Sequence, residues 1–183
     1  NESKIVVIRN SDWKIVTEIN ADSYPVGLAV SPDGKQAVFT ALGHLYITDV
    51  DEPNPKRLTK QSTDFEFYPQ FSRDGKQLVY VSWNDNEQGA VNLLNLRNGR
   101  VTKLTDEPGK YVEPVFSPDG SFIVFRKAGA GNLLDKKWSL NTGLYQVSAT
   151  GGEPELISRT GYAPHFGERS DRVFAMDYGD EPT

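Results

Sequence analysis

The chain has 183 residues, 37% of them hydrophobic and 11% aromatic, with 16 glycines, 11 prolines and a formal charge of −5 at pH 7. That is enough chain for one well-packed domain, and its charges form no basic stripe, which argues against a nucleic-acid groove and an anionic membrane surface. No apolar stretch approaches the ~18 residues that insertion into a bilayer requires, and with no cysteine, disulfides, thiolate chemistry and sulfur-ligated metals are all removed.

Taken in order, the chain opens with two short strand signals, Ile5-Val6-Val7-Ile8 and Lys14-Ile15-Val16. A strand at Leu28-Ala29-Val30-Ser31 runs into the turn phrase Ser31-Pro32-Asp33-Gly34-Lys35, followed by the apolar run Ala37-Val38-Phe39. A third strand follows at Leu45-Tyr46-Ile47-Thr48-Asp49, a turn at Glu52-Pro53-Asn54, and a fourth strand at Arg57-Leu58-Thr59. The set then returns. Tyr68-Pro69-Gln70-Phe71-Ser72 leads to Ser72-Arg73-Asp74-Gly75-Lys76 and Leu78-Val79-Tyr80, then Val91-Asn92-Leu93-Leu94-Asn95, Arg97-Asn98-Gly99 and Lys103-Leu104-Thr105. A third copy has Glu113-Pro114-Val115-Phe116-Ser117, Ser117-Pro118-Asp119-Gly120-Ser121 and Ile123-Val124-Phe125, then Leu144-Tyr145-Gln146-Val147-Ser148, Thr150-Gly151-Gly152 and Glu155-Leu156-Ile157. The last copy keeps Ala163-Pro164-His165-Phe166-Gly167, has a decayed turn at Glu168-Arg169-Ser170-Asp171, and resumes with Arg172-Val173-Phe174-Ala175.

Gly34 to Gly75 is 41 residues and Gly75 to Gly120 is 45. Short alternating runs joined by tight turns at this period are the signature of four-stranded β-propeller blades. The expected fold is therefore all-β, with blades at about 21–62, 63–108 and 109–160, a half-blade at 1–20 and another at 161–183. The first half-blade supplies strands three and four, and the last supplies strands one and two. Either the halves pair to close a four-bladed ring, or the chain is a fragment of a larger propeller, which is the favoured expectation.

The unit P-x-F-S-x-D-G-K followed by an apolar run, then Leu-Tyr and finally Leu-Thr, resembles the TolB-type, WD-related propeller repeat over nearly the whole chain. Phe125-Arg126-Lys127, the Gly-rich insert after it, and Thr142 through Leu156 are similar to the propellers that precede amidohydrolase domains. The resemblance implies a periplasmic or secreted scaffold. It implies either a non-catalytic module that binds a protein or peptide, or the accessory and gating propeller of a larger hydrolase. That hydrolase would be an amidohydrolase or a prolyl-oligopeptidase-like serine peptidase, with its catalytic domain outside these residues.

The residues themselves suggest no catalytic centre. Ser-x-Asp-Gly repeats because it is a turn: proline fixes φ, aspartate caps the backbone and glycine accepts positive φ. His44 and His165 are the only histidines, without the His-x-His cluster of a metal hydrolase. There is no Gly-x-Ser-x-Gly elbow, Gly129-Ala130-Gly131-Asn132 lacks the Gly-Lys-Ser/Thr of a phosphate loop, and Asp49 with Asp51 lacks the other carboxylates of a calcium loop. No metal or cofactor is expected.

Strand order does suggest a binding face. Connections from strand two to three (Ala41-Leu42-Gly43, Ser82 to Gly89, Lys127 to Asn141) emerge with those between blades and vary in length, whereas the other turns are short and repetitive. Variable loops on a rigid scaffold are where recognition usually sits. The expected rim comprises Tyr68, Trp83, Tyr111, Trp138 and Tyr162, with Glu113 and His165 near the channel mouth and further aromatics at Tyr24, Phe65 and Phe67. Packing between blades is the competing role for each of these. Asp33, Asp74 and Asp119 belong to the opposite face. Unpaired edges of the half-blades also offer a route to self-association.

Overall fold

A computed structural model describes residues 3–21, 25–129 and 140–177. Sixteen strands and no helix occur among them. β1 (Lys4–Arg9) and β2 (Lys14–Asn20) form a two-stranded sheet. Blade one is β3 (Val26–Val30), β4 (Gln36–Ala41), β5 (His44–Asp49) and β6 (Lys56–Arg57). Blade two is β7 (Phe65–Phe71), β8 (Gln77–Asn84), β9 (Gln88–Asn95) and β10 (Val101–Lys103). Blade three is β11 (Lys110–Phe116), β12 (Phe122–Ala128), β13 (Gly143–Ser148) and β14 (Glu155–Ser158). β15 (Tyr162–Phe166) and β16 (Val173–Met176) form a second two-stranded sheet. All pairings are antiparallel between consecutive strands, which is the blade pattern.

The three repeated turns share one hydrogen-bond network. In each, the serine hydroxyl donates to the aspartate two residues on, at 2.6 Å for Ser31–Asp33, 2.6 Å for Ser72–Asp74 and 2.7 Å for Ser117–Asp119. The same carboxylate accepts the backbone N–H of Lys35, Lys76 or Ser121. Gly120 has φ +72°, a left-handed value that glycine adopts without a β-carbon clash.

The core lies in the seams between sheets. Blades two and three bury Val79, Val91 and Leu104 against Tyr111, Ile123 and Phe125, with Tyr111 and Phe125 edge to face at 5.4 Å. Blades one and two enclose Val38, Leu45, Phe71, Leu78 and Leu94. β1–β2 packs Ile5, Val7 and Ile19 on Ala37 and Phe39 of blade one. Burial of each such aliphatic or aromatic side chain contributes about 1.5–3 kcal/mol.

Two sequence expectations change. The innermost strands of blades two and three begin three residues before Tyr68 and Glu113, because Phe65-Glu66-Phe67 and Lys110-Tyr111-Val112 already pair with strand two ahead of a β-bulge. The 82–89 segment is mostly strand rather than loop: β8 runs to Asn84 and β9 starts at Gln88, so Trp83 lies on a strand, opposite Phe65 and Gly89. Gly89 is required there, since a β-carbon would lie 2.3 Å from the carbonyl oxygen of Gly109, which accepts the Gly89 N–H.

Among the described residues β1–β2 and β15–β16 are separate two-stranded sheets.

Candidate partner-binding face

Each innermost strand carries the same irregularity. A bulge interrupts pairing in β3, β7, β11 and β15, and the residue within it has positive φ: Gly27 at 77°, Tyr68 at 55°, Glu113 at 56° and Ala163 at 49°. The last three precede proline. For a non-glycine residue this backbone costs on the order of 1–3 kcal/mol, and it aims successive side chains away from the regular pleat. The four strands wall a central channel of ≈ 570 Å³, to which Tyr68, Glu113 and His165 all contribute.

Beside the channel, at the end of the blades that bears the strand two-to-three connections, an apolar pocket of ≈ 430 Å³ is lined by Val26, Phe67, Tyr68, Val81, Trp83, Lys110, Tyr111 and Val112. Tyr68 is 44% exposed and borders both cavities. The Trp83 indole N–H donates to Asp85 at 3.1 Å, which fixes the ring on the pocket wall and leaves its apolar face available. The pocket brings together three expected rim residues, Tyr68, Trp83 and Tyr111. Val26, Val81 and Val112 carry no sequence signal as a group, because they come from three different blades.

The expected residues divide by role. Tyr111 is a correction to the rim reading: it is 4% exposed, packs within the seam between blades two and three, and donates its hydroxyl to the Glu107 carbonyl at 2.6 Å. Burial, followed by the nearby Glu107 charge, pushes its phenol up to about 12. Only its margin reaches the pocket. Glu113 lines the channel, yet its carboxylate is already engaged. It accepts two hydrogen bonds from the Arg126 guanidinium at 3.0 and 3.1 Å, and the Ala163 N–H at 2.8 Å. It is a clamp between blade three and β15, and its partner Arg126, 13 residues away on the neighbouring strand, carries no sequence signal of that pairing. His165 is exposed in the channel, stacked on Phe174 at 5.7 Å. Tyr162 is half-buried on β15. Trp138 and Tyr24 lie outside the described residues.

Equivalent clamps tie the other seams. Glu66, fully buried, accepts the Leu45 N–H at 2.8 Å, the Thr59 hydroxyl at 2.6 Å and the Gln61 amide at 2.7 Å. The Gln70 amide oxygen accepts the Phe116 N–H at 2.8 Å. On the opposite face, Arg73 replaces the turn proline of the other copies, and its guanidinium donates to the carbonyls of Gly167 and Glu168 at 3.0 and 3.1 Å. These contacts hold the channel walls in place and leave Tyr68 and His165 exposed, with Phe67 and Trp83 half-buried on the pocket wall.

No group of three or more His, Asp or Glu side chains among the described residues is arranged to hold a metal ion, and no helix there is long and apolar enough to cross a membrane.

No family model matches the chain. It is 32% identical over 109 residues to the Tol-Pal system protein TolB of Francisella tularensis subsp. mediasiatica, covering 60% of this chain and 23% of that protein. It is 33% identical over 79 residues to the uncharacterized peptidase YuxL of Bacillus subtilis, covering 43% of this chain and 11% of that one. Thus the chain spans under a quarter of the length of these relatives. Its structure superimposes on the crystal structure of TolB from Acinetobacter baumannii with a TM-score of 0.71 at 20% identity, covering 94% of this chain and 42% of the other. In fold the chain is a β-propeller like that of TolB, and its repeat is similar in sequence to the TolB proteins over 109 residues.

Proposed function

We propose that the chain is a non-catalytic binding module that takes a segment of a protein or peptide partner on the face formed by Tyr68, Trp83 and the channel mouth. The observation that carries this reading is the apolar pocket of ≈ 430 Å³ opening beside the channel, with Tyr68 shared between the two. A cavity of this kind suits an apolar or aromatic anchor side chain, and a few Tyr or Trp contacts commonly dominate such interfaces. The strained backbone at Tyr68 supports it too, since such strain concentrates where side chains are held for a task. By its resemblance to the TolB-type proteins, the module works in the periplasm or outside the cell.

A peptide-display selection against the purified chain tests this. Selected binders should carry an aromatic or branched aliphatic anchor and lose affinity about tenfold or more, roughly 1.4 kcal/mol, on Trp83→Ala. Lys35→Ala or Lys76→Ala, beside the short turns, should leave them unchanged. Binders mapping to the Asp33, Asp74 and Asp119 turns would overturn the reading.

The similarity to a peptidase over 79 residues favours one second reading, an accessory propeller of a larger hydrolase. It requires a Gly-x-Ser-x-Gly or His-x-His catalytic domain on the same polypeptide, which the sequence of the whole gene tests directly.

A further inference from the structure

At one point of the repeat blade two departs from its neighbours. In blade one Phe39 of β4 lies opposite Tyr46 of β5, and in blade three Phe125 of β12 lies opposite Tyr145 of β13. Each pair stacks, with ring centroids 6.0 Å apart at 17° and 6.1 Å apart at 10°. In blade two the same register sets Tyr80 opposite Asn92, so the second ring is missing and the first carries a hydroxyl. Two residues further on, Lys127 of blade three, ion-paired to Glu107 at 2.9 Å, is replaced by Ser82. The loss of these side chains opens a space. The cavity bordered by Tyr145 and Lys127, between blades two and three, is ≈ 100 Å³, and its counterpart between blades one and two is ≈ 410 Å³.

Tyr80, Ser82 and Asn92, each 7% exposed or less, form one wall of the larger cavity, and Leu58 and Asp64 line it from the connection between β6 and β7. The polar groups of this wall are only partly used. The Asn92 amide donates to the Ser82 hydroxyl at 2.9 Å and to the Ala90 carbonyl at 3.3 Å, and its oxygen has no partner among the described residues. The Tyr80 hydroxyl has none there either. Burial first, then the Glu66 and Asp64 charges, push its phenol above the usual range, so it remains a neutral donor. Lys60 lies at the exposed rim, whereas Glu66 is fully buried and little screened, which favours a neutral guest over an anionic one.

We infer that this cavity is a ligand site for a neutral phenol-type ring, seated on Tyr80 as Tyr46 and Tyr145 are seated on Phe39 and Phe125, with its hydroxyl donating to the Asn92 amide oxygen. Blades one and three supply that ring from their own chain, and blade two takes it from outside. Space is sufficient, since a protein cavity of about 150 Å³ already admits benzene. The site lies between two four-stranded blades and shares no lining residue with the Trp83 pocket, so it stands independently of the partner face proposed above.

An NMR titration of the purified chain with p-cresol tests this, read at the Asn92 side-chain amide. Binding should saturate and shift that resonance. Asn92→Tyr, which restores the ring of the other blades, should abolish binding while circular dichroism shows the fold retained. Tyr80→Phe, the residue of both other blades, keeps the cavity and the stack, and should weaken binding by about threefold to tenfold, the loss of one hydrogen bond. It also decides the matter if Asn92→Tyr fails to fold. N-Acetyltyrosine amide distinguishes the source of the ring: binding comparable to p-cresol assigns the site to a ring carried on a peptide, and binding of p-cresol alone assigns it to a free phenol. Four results would overturn the inference: no saturable binding of p-cresol, binding undiminished in a folded Asn92→Tyr chain, binding unchanged in Tyr80→Phe, or toluene or 4-hydroxybenzoate binding as tightly as p-cresol.

Discussion

The carboxylate of Glu113 accepts the backbone N–H of Ala163 at 2.8 Å while holding the Arg126 guanidinium through both oxygens. One side chain thus joins the innermost strand of blade three, its neighbouring strand and the start of the next sheet. Glu113→Ala removes both links and should cost about 1–3 kcal/mol, reduced from the buried-pair scale because both side chains are partly exposed. Glu113→Gln keeps an acceptor for Ala163 and should cost less than about 1 kcal/mol. Urea denaturation of the two variants checks the order, and amide exchange at Ala163 should speed up only in Glu113→Ala.

Glu66 makes the stronger clamp because no water reaches it. Replacing it with leucine leaves the Leu45 N–H and the Thr59 hydroxyl without their acceptor. Each orphaned buried donor costs about 1–3 kcal/mol, so Glu66→Leu should destabilise by about 3 kcal/mol. An unchanged denaturation midpoint would mean that those donors find other partners and that this seam is held by packing alone.

The blades were legible because their signals are local. Turn phrases, β-branched runs and their spacing all lie within a few residues of one another, and three copies in phase made the period unambiguous. What escaped is what depends on contact between blades. Tyr111 reads as a rim aromatic, but its place 45 residues after Glu66 puts it in the same inward-facing clamp position, where a seam fills around it. Glu113 reads as a free carboxylate near the channel mouth because Arg126 lies on another strand. The aligned positions held one usable signal: Gly27, Tyr68, Glu113 and Ala163 stand at the same point of the repeat, and a glycine in one copy marks a backbone that the other three must strain to adopt.

That strain gives a prediction with an unusual sign. Ala163 has φ +49°, and its small side chain sacrifices little packing on truncation. Relief of the left-handed backbone, about 1–2 kcal/mol, should outweigh the added freedom of the unfolded chain, about 0.4–1 kcal/mol. Ala163→Gly should therefore be neutral to stabilising by about 1 kcal/mol. Ala29→Gly, in the regular part of β3, should destabilise by about 0.5–1 kcal/mol or more. If both variants lose stability equally, the bulge is not strained.

The turns supply the acid sensitivity of the fold. Asp119 is held well below the usual carboxylate range, first by the Ser117 hydroxyl and then by the Ser121 N–H and hydroxyl, and Asp33 and Asp74 are lowered in the same way by Ser31 and Ser72. A carboxylate whose folded pKa is depressed contributes stability that is fully present above its unfolded pKa, near 3.9, and is lost as pH falls through the folded value. Asp119→Asn should therefore be less stable than the parent at pH 7, and the difference should shrink steadily as the pH drops below about 4. Gly120→Val acts through backbone strain at φ +72° instead, and should cost about 1–3 kcal/mol at every pH. Denaturant titrations of both variants between pH 7 and pH 3 separate the two causes: a pH-independent gap for Asp119→Asn would show that its hydrogen bonds do not favour the ionised form, and a pH-dependent gap for Gly120→Val would show that the turn glycine supports the carboxylate network rather than the backbone alone.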